Sequence, residues 1–104
     1  VHAGVEPHGG ETDRKTALYL RRWPDDSQEN NPFWWELYSG SDLVIYGHDA
    51  RRGLQDHRPR SLGLDTGCVY GGSLTGFLLE SGEFLEVPAR KTYVFADRPE
   101  FPRD

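Results

Sequence analysis

A four-residue apolar run at residues 43–46 (LVIY) constrains the fold more than any other feature of this 104-residue chain. A short continuous apolar run is expected of a β-strand that is buried on both of its faces. Such a strand needs neighbours, and a chain with only 36% apolar residues offers few of them. We therefore expect either a small, well-hydrated domain or a piece of a larger one.

The sequence after residue 60 also favours β-structure. Residues 62–64 form a second short apolar segment. Residues 74–80 and 83–87 flank Ser81-Gly82, a pair that suits a two-residue hairpin loop. The second half of the chain therefore predicts three further short strands.

The first half of the chain predicts less regular structure. Residues 12–23 carry apolar positions among charged ones and stop at Pro24, which predicts a short helix. A polar loop follows, and the aromatic-rich residues 33–38 predict a compact turn. Together these patterns predict an α/β chain that consists mostly of β-strands, with one or two short helices.

Charge and cysteine usage limit the partners and the compartment. The net charge of −5 argues against a nucleic-acid polymer as a partner. No apolar run approaches the roughly 18 residues that cross a membrane, so we expect no membrane association. The single cysteine, Cys68, excludes an internal disulfide and suits a reducing compartment, which predicts a cytoplasmic protein.

Two histidines, His2 and His48, occupy similar local contexts. Each follows an apolar stretch and lies close to a glycine, which lets the backbone or a ligand approach closely. Neutral imidazole is the commonest nitrogen ligand for zinc, manganese or iron. From the residues alone, a metal site and a pair of solvated loop histidines both stay open.

Three segments resemble a known family when they are taken together. Residues 44–50 (VIYGHDA) and 63–75 (GLDTGCVYGGSLT), preceded by residues 1–5 (VHAGV), resemble the C-terminal signature of the calcineurin-like metallophosphoesterases. Within that superfamily they are similar to the phosphoprotein-phosphatase branch, which includes symmetrical diadenosine tetraphosphatases and bacterial-type serine/threonine phosphatases. The resemblance implies that residues 1–96 are the C-terminal part of such a domain and that residues 97–104 are a tail.

The resemblance implies a fold, a reaction and a cofactor. The fold would be a four-layer α/β/β/α sandwich, and the activity would be that of a metal-dependent hydrolase, a phosphatase acting on phosphoric esters or phosphoanhydrides. Two divalent ions (manganese, iron or zinc) would lie about 3.5–4 Å apart and activate a bridging water. His2 and His48 would both be ligands of the second metal. The substrate would be a phosphoprotein, a dinucleoside polyphosphate or polyphosphate.

The sequence also departs from the family. Its Gly-Asp-x-His, Gly-Asp-x-x-x-Arg-Gly and Gly-Asn-His-Asp/Glu motifs are absent. The bridging aspartate, the first-metal ligands and the proton-donating histidine are therefore missing, and no catalytic residue is assigned. We expect the N-terminal part of the same domain to act as the partner, with no activity from this chain alone. A non-catalytic binding or structural module is the alternative, and a single-metal protein that uses Asp65 as third ligand is a weaker one.

The resemblance also implies roles for four further residues, and three of them have an alternative interpretation. Arg21 and Arg22 lie where the family's branch often places an arginine that contacts the substrate phosphate. Alternatively, they are cations favoured after a helix C-terminus. Asp65 would hydrogen-bond a ligand imidazole, or it would only shape a turn. Tyr70 would line the substrate pocket.

The aromatic and polar residues around these segments have less specific roles. Residues 33–35 (FWW) would stack a nucleobase or, more often, pack as a hydrophobic cluster. Arg51 and Arg52 would attract an anionic substrate or form a solvated turn. We expect Asp49 to be exposed.

Overall fold

The computed structural model describes residues 1–95, and the tail predicted at 97–104 lies outside the described residues. Within residues 1–95, no helix has the length and apolar character needed to cross a membrane. The prediction of a mostly β chain with one or two short helices is confirmed. The elements are α1 (Arg14–Tyr19), α2 (Trp34–Leu37), β1 (Val44–Tyr46), β2 (Gln55–His57), β3 (Ser61–Gly63), β4 (Ser73–Leu78), β5 (Glu83–Pro88) and two 3-10 turns, Ala50–Arg52 and Cys68–Tyr70.

A small mixed sheet in the order β1-β3-β2 supports the predicted histidine segments. Strand β1 is parallel to β3 and β2 is antiparallel to it, so that Ile45 and Asp56 both pair with Leu62. Leu62 is fully buried. The start of the chain runs beside β1, because the Val1 amine donates to the Ile45 carbonyl and the Gly47 amide donates to the His2 carbonyl. The predicted apolar strand thus has a neighbour on each side.

Helix α1 is shorter at both ends than the predicted helix at residues 12–23. It begins after Asp13, whose carboxylate accepts a hydrogen bond of 2.7 Å from the Thr16 amide. An acceptor at this position satisfies one of the free amides of the first turn. The helix ends at Tyr19 because the chain becomes extended from Leu20. The Trp34 amide then donates to the Arg21 carbonyl, so the following segment pairs with the start of α2.

Strands β4 and β5 form the predicted hairpin, with a longer loop than expected. Leu78 pairs with Glu83, so four residues connect the strands instead of Ser81-Gly82 alone. Gly82 adopts a left-handed conformation in this loop (φ 74°), which glycine does without steric cost. One face of the hairpin is apolar and exposed, and it consists of Leu74, Leu78, Leu85 and Val87.

The hydrophobic core centres on Trp34, which is only 1% exposed. Its ring packs edge-on against Tyr46 with a centroid distance of 5.0 Å, and Leu20 completes the buried cluster. Its indole nitrogen donates to the Ala3 carbonyl at 3.1 Å, so the polar edge of the ring is also satisfied. Aromatic and aliphatic packing of this kind is the main source of stability that the chain offers.

We predict that Tyr46→Phe leaves the protein folded and raises its free energy of unfolding by roughly 1 kcal/mol. The Tyr46 hydroxyl is buried without a hydrogen-bond partner among the described residues. Burial, and then the charge of Asp49, raise the pKa of this phenol. Removing an unsatisfied hydroxyl removes a desolvation cost while the ring packing stays. Urea denaturation of the two proteins measures the difference, and a loss of stability would mean that the hydroxyl has a partner.

Candidate functional site

The structure brings His2 and His48 together, although 45 residues separate them in the sequence. Their ring centroids lie 5.2 Å apart with the planes inclined by 54°. The hydrogen bond of 2.8 Å from the Gly47 amide to the His2 carbonyl fixes the two segments side by side. Both imidazoles therefore lie just beyond the C-terminal end of β1.

His48 has an unusual backbone conformation and an unsatisfied ring nitrogen. Its φ of 72° makes it the non-glycine residue with a left-handed backbone in the described range. Residues held in this region cluster at functional sites, and histidine is more frequent there than most residues. Its Nε2 atom is buried and has no hydrogen-bond partner among the described residues. An orphaned imidazole nitrogen is an unused ligand or acceptor.

The surroundings of His48 favour the neutral imidazole. Burial is the largest cause that lowers its pKa, and the charges of Arg21 and His2 act in the same direction. The charge of Asp49 and a hydrogen bond with the Tyr19 backbone act the other way without reversing the shift. Because metal ions bind the neutral ring, this environment suits ligation through Nε2.

The described residues do not include a complete metal site. Within residues 1–95, no three or more histidines, cysteines, aspartates or glutamates are grouped so that they could hold an ion. Protein metal sites generally use three or four side-chain ligands. Asp65 is not grouped with the two histidines in this way, and its Oδ1 accepts a hydrogen bond of 3.1 Å from the Gly67 amide. The two histidines alone therefore do not make up the ligand set of a metal site.

The two histidines line a shallow cleft of about 330 Å³. Asp65, Thr66 and Cys68 line it from the loop after β3, and Ser73 to Thr75 line it from the start of β4. Asp65 therefore lies in the cleft, but the bond it makes there is the turn bond to Gly67. Tyr70 is not among the residues that line the cleft. The structure places it on the adjoining 3-10 turn, Cys68–Tyr70.

Arg21 and Arg22 make different contacts. The Arg21 Nε lies 3.5 Å from Oδ1 of Asp49, the residue next to His48. The Arg22 side chain instead donates to the Asn31 carbonyl at 2.7 Å and lies over the Phe33 ring. Arg21 is therefore the one of the pair whose charge acts on the His48 imidazole.

Asp49 was predicted to be exposed, and that prediction is wrong. The residue is 8% exposed, and its carboxylate lies 3.5 Å from Arg21 Nε and 3.7 Å from Arg52 Nε. A buried carboxylate requires opposite charges around it, and these two arginines supply them. The sequence signal was the Asp49–Arg52 spacing across a turn, but the Arg21 contact is long-range and has no local signature.

The aromatic residues 33–35 are engaged in packing. The Phe33 and Trp35 rings stack with centroids 5.2 Å apart, and Trp35 stacks on His57 at 4.3 Å. Trp34 is buried in the core. These contacts favour the packing interpretation over nucleobase stacking.

Comparisons with known proteins support the resemblance to the diadenosine tetraphosphatases. No protein-family model matches the chain. It is 33% identical over 102 residues to the asymmetrical bis(5'-nucleosyl)-tetraphosphatase PrpE of Geobacillus sp. (strain WCH70), which covers 90% of this chain and 41% of the relative. The PrpE protein of Halalkalibacterium halodurans is 32% identical over 111 residues, with 98% and 44% covered. The symmetrical bis(5'-nucleosyl)-tetraphosphatase of Chromohalobacter salexigens is 44% identical over 61 residues, with 53% and 22% covered.

A solved structure supports the same relationship. A crystal structure provisionally assigned as a diadenosine tetraphosphatase superposes with a TM-score of 0.77 at 30% identity, over 85% of this chain and 45% of that one. The chain spans less than half the length of each of these relatives. In sequence and in fold, the chain is thus homologous to part of the bis(5'-nucleosyl)-tetraphosphatases, proteins whose names place them among the phosphoanhydride hydrolases.

Proposed function

We propose that this chain forms one side of the active site of a metal-dependent phosphoanhydride hydrolase of the calcineurin-like superfamily. The observation that carries the proposal is the pairing of His2 and His48 at one cleft, with the Nε2 atom of His48 buried and unpartnered. The names of the relatives support dinucleoside polyphosphate hydrolysis over phosphoprotein hydrolysis. The substrate class we propose is therefore a dinucleoside polyphosphate or a related polyphosphate.

The proposed roles follow from the geometry of the described residues. His2 and His48 would hold one metal ion through imidazole nitrogens. Arg21, held by Asp49, would offer a guanidinium to a phosphate of the substrate. When bound, a pair of manganese, iron or zinc ions would supply an activated water and neutralise charge on the phosphoryl oxygens. The remaining ligands would come from the rest of a four-layer sandwich, outside this chain.

The function is tested by hydrolysis of diadenosine tetraphosphate by the complete gene product. We expect turnover that requires added manganese, iron or zinc. Excess chelator should stop it, because the chelator removes both metal ions from their protein ligands. Parallel assays with a phosphoserine peptide and with inorganic polyphosphate define the substrate class. Turnover of the phosphopeptide alone would overturn the proposed substrate, and chelator-resistant turnover would overturn the metal dependence.

The alternative, a non-catalytic binding or structural module, is favoured by one observation. The residues at 1–95 lack a third metal ligand beside the two histidines. A module of this kind would show no hydrolysis with any of the three metals. It would also bind zinc no more tightly than the His48→Asn variant does, which equilibrium dialysis measures directly.

A further inference from the structure

A second cleft, separate from that of the two histidines, is lined by four arginines. It measures about 510 Å³, and we call it the arginine cleft. The residues that line it are Arg21, Arg22, Arg51, Arg52, Phe33, Asp26, Glu29 and Asn30. Two segments that are distant in sequence, residues 21–22 and 51–52, thus bring their cationic side chains to one place.

Contacts with neighbouring side chains hold three of the four arginines in position. The guanidinium groups of Arg22 and Arg52 lie over the Phe33 ring, 4.3 and 4.6 Å from its centroid. The Asp49 carboxylate lies within 3.7 Å of both Arg21 Nε and Arg52 Nε. Fixing a guanidinium before a ligand arrives lowers the entropy cost of binding. The cleft is therefore preorganised.

The charge of the cleft contrasts with that of the chain. Four arginines are accompanied by two lining carboxylates and by the Asp49 carboxylate that contacts two of them, in a protein whose net charge is −5. One of those carboxylates, Asp26, already accepts hydrogen bonds from the Arg21 and Arg22 backbone amides at 3.2 and 2.6 Å. Like charges so close together repel, and a bound anion would relieve that repulsion. The cleft is thus a local cationic site on an anionic protein.

We propose that the arginine cleft binds a condensed phosphate chain, whether inorganic polyphosphate or the phosphates of a nucleotide. Planar guanidinium groups bind phosphate oxygens in pairs, and several of them in one cleft match a ligand with several charged phosphates. The site uses neither the two histidines nor a metal ion, although it shares Arg21 with the proposed active site. It would hold its ligand whether or not the protein is a hydrolase.

The aromatic contacts beside the cleft predict how much a nucleoside would add to binding. Phe33 is covered by guanidinium groups and by Trp35, and Trp35 is itself stacked on His57. The aromatic faces beside the cleft are thus already in contact with other groups. A nucleobase would gain little there, so ATP and tripolyphosphate bind with affinities within about threefold of each other.

Calorimetric titration with sodium tripolyphosphate, at low ionic strength and with excess EDTA, tests the proposal. Arg22→Gln and Arg52→Gln each weaken binding at least about tenfold, because each removes charge-assisted hydrogen bonds. Arg90→Gln is the matched control, since this exposed arginine does not line the cleft, and it leaves the dissociation constant unchanged. Equal weakening by all three variants means attraction by overall charge and overturns the site. If ATP binds more than tenfold tighter than tripolyphosphate, the cleft also recognises the nucleoside, and the proposal that it recognises only phosphate is overturned.

A second measurement avoids substitutions that could unfold the protein. Phenylglyoxal modifies accessible arginines, and mass spectrometry identifies each modified residue. Tripolyphosphate protects Arg22, Arg51 and Arg52 at least fivefold relative to Arg90. Equal modification with and without tripolyphosphate overturns the proposal. The EDTA in both experiments separates them from the proposed hydrolysis, because a failed metal assay leaves these results unchanged.

Discussion

Substituting Gly72 by alanine is expected to lower the free energy of unfolding by about 3 kcal/mol or more. A Cβ atom at Gly72 would overlap the Thr66 carbonyl oxygen and lie 3.0 Å from the Gly67 carbonyl oxygen. Both are backbone atoms, so no side-chain rotation can relieve the clash. The loop must open, and small domains have little stability to lose.

The same loop positions the cleft of the two histidines. The Gly72 amide donates to the Gly67 carbonyl at 2.9 Å, and the Ser73 amide donates to the Thr66 carbonyl at 3.1 Å. These bonds close the turn that presents Asp65 and Thr66 to the cleft. A substitution that opens the turn would therefore change the cleft as well as the stability.

Gly76→Ala provides the control for this prediction. Gly76 lies in β4, its backbone is not left-handed, and no atom outside its neighbours lies within 4 Å of a Cβ built there. Alanine in a strand interior is favoured over glycine by roughly 0.5–1 kcal/mol, so a small gain is expected. Urea denaturation of both variants measures the contrast. Losses of similar size at the two positions would show that the contact with Thr66 does not decide the effect.

The strands that could be predicted from sequence are those with a continuous apolar run or a hairpin pattern. Strand β1 and the pair β4 and β5 follow such signals, and β3 (Ser61–Gly63) overlaps the short strand predicted at residues 62–64. Strand β2 (Gln55–His57) was missed, because its three residues are polar and two of them are exposed. It forms only because β3 offers an edge to pair with. Helix α1 was predicted too long, since its end depends on the pairing of Arg21 with Trp34.

The site residues likewise divide into those that a local sequence pattern predicts and those whose position depends on contacts distant in sequence. The two histidines stood out through their glycine-flanked motifs, and the structure brings them together. The contact of Arg21 with Asp49 spans 28 residues of sequence, and the contacts of Arg22 span 9 and 11 residues, so no local pattern encodes them. Whether His2 and His48 bind metal stays a prediction.

Removal of the His48 imidazole is expected to reduce metal-dependent hydrolysis of diadenosine tetraphosphate by the complete gene product at least about 100-fold. Loss of a group that merely orients a metal ligand costs about 10- to 100-fold, so loss of a ligand itself should cost no less. Position 48 has a φ of 72°, which asparagine tolerates better than alanine does. His48→Asn therefore removes the ligand with less strain than His48→Ala.

A comparison of three variants separates ligation from folding. His48→Asn and His48→Ala should lose activity equally, while only the alanine variant loses roughly 1 kcal/mol of stability through backbone strain. His8→Ala is the matched control, because His8 is exposed and its ring centroid lies 6.2 Å from that of Trp23, away from the two histidines of the cleft. It should retain full activity. If His48→Asn kept activity within a few-fold of the parent, the imidazole would not be a ligand. The non-catalytic interpretation of this chain would then be the stronger one, because Nε2 of His48 would have no metal to bind.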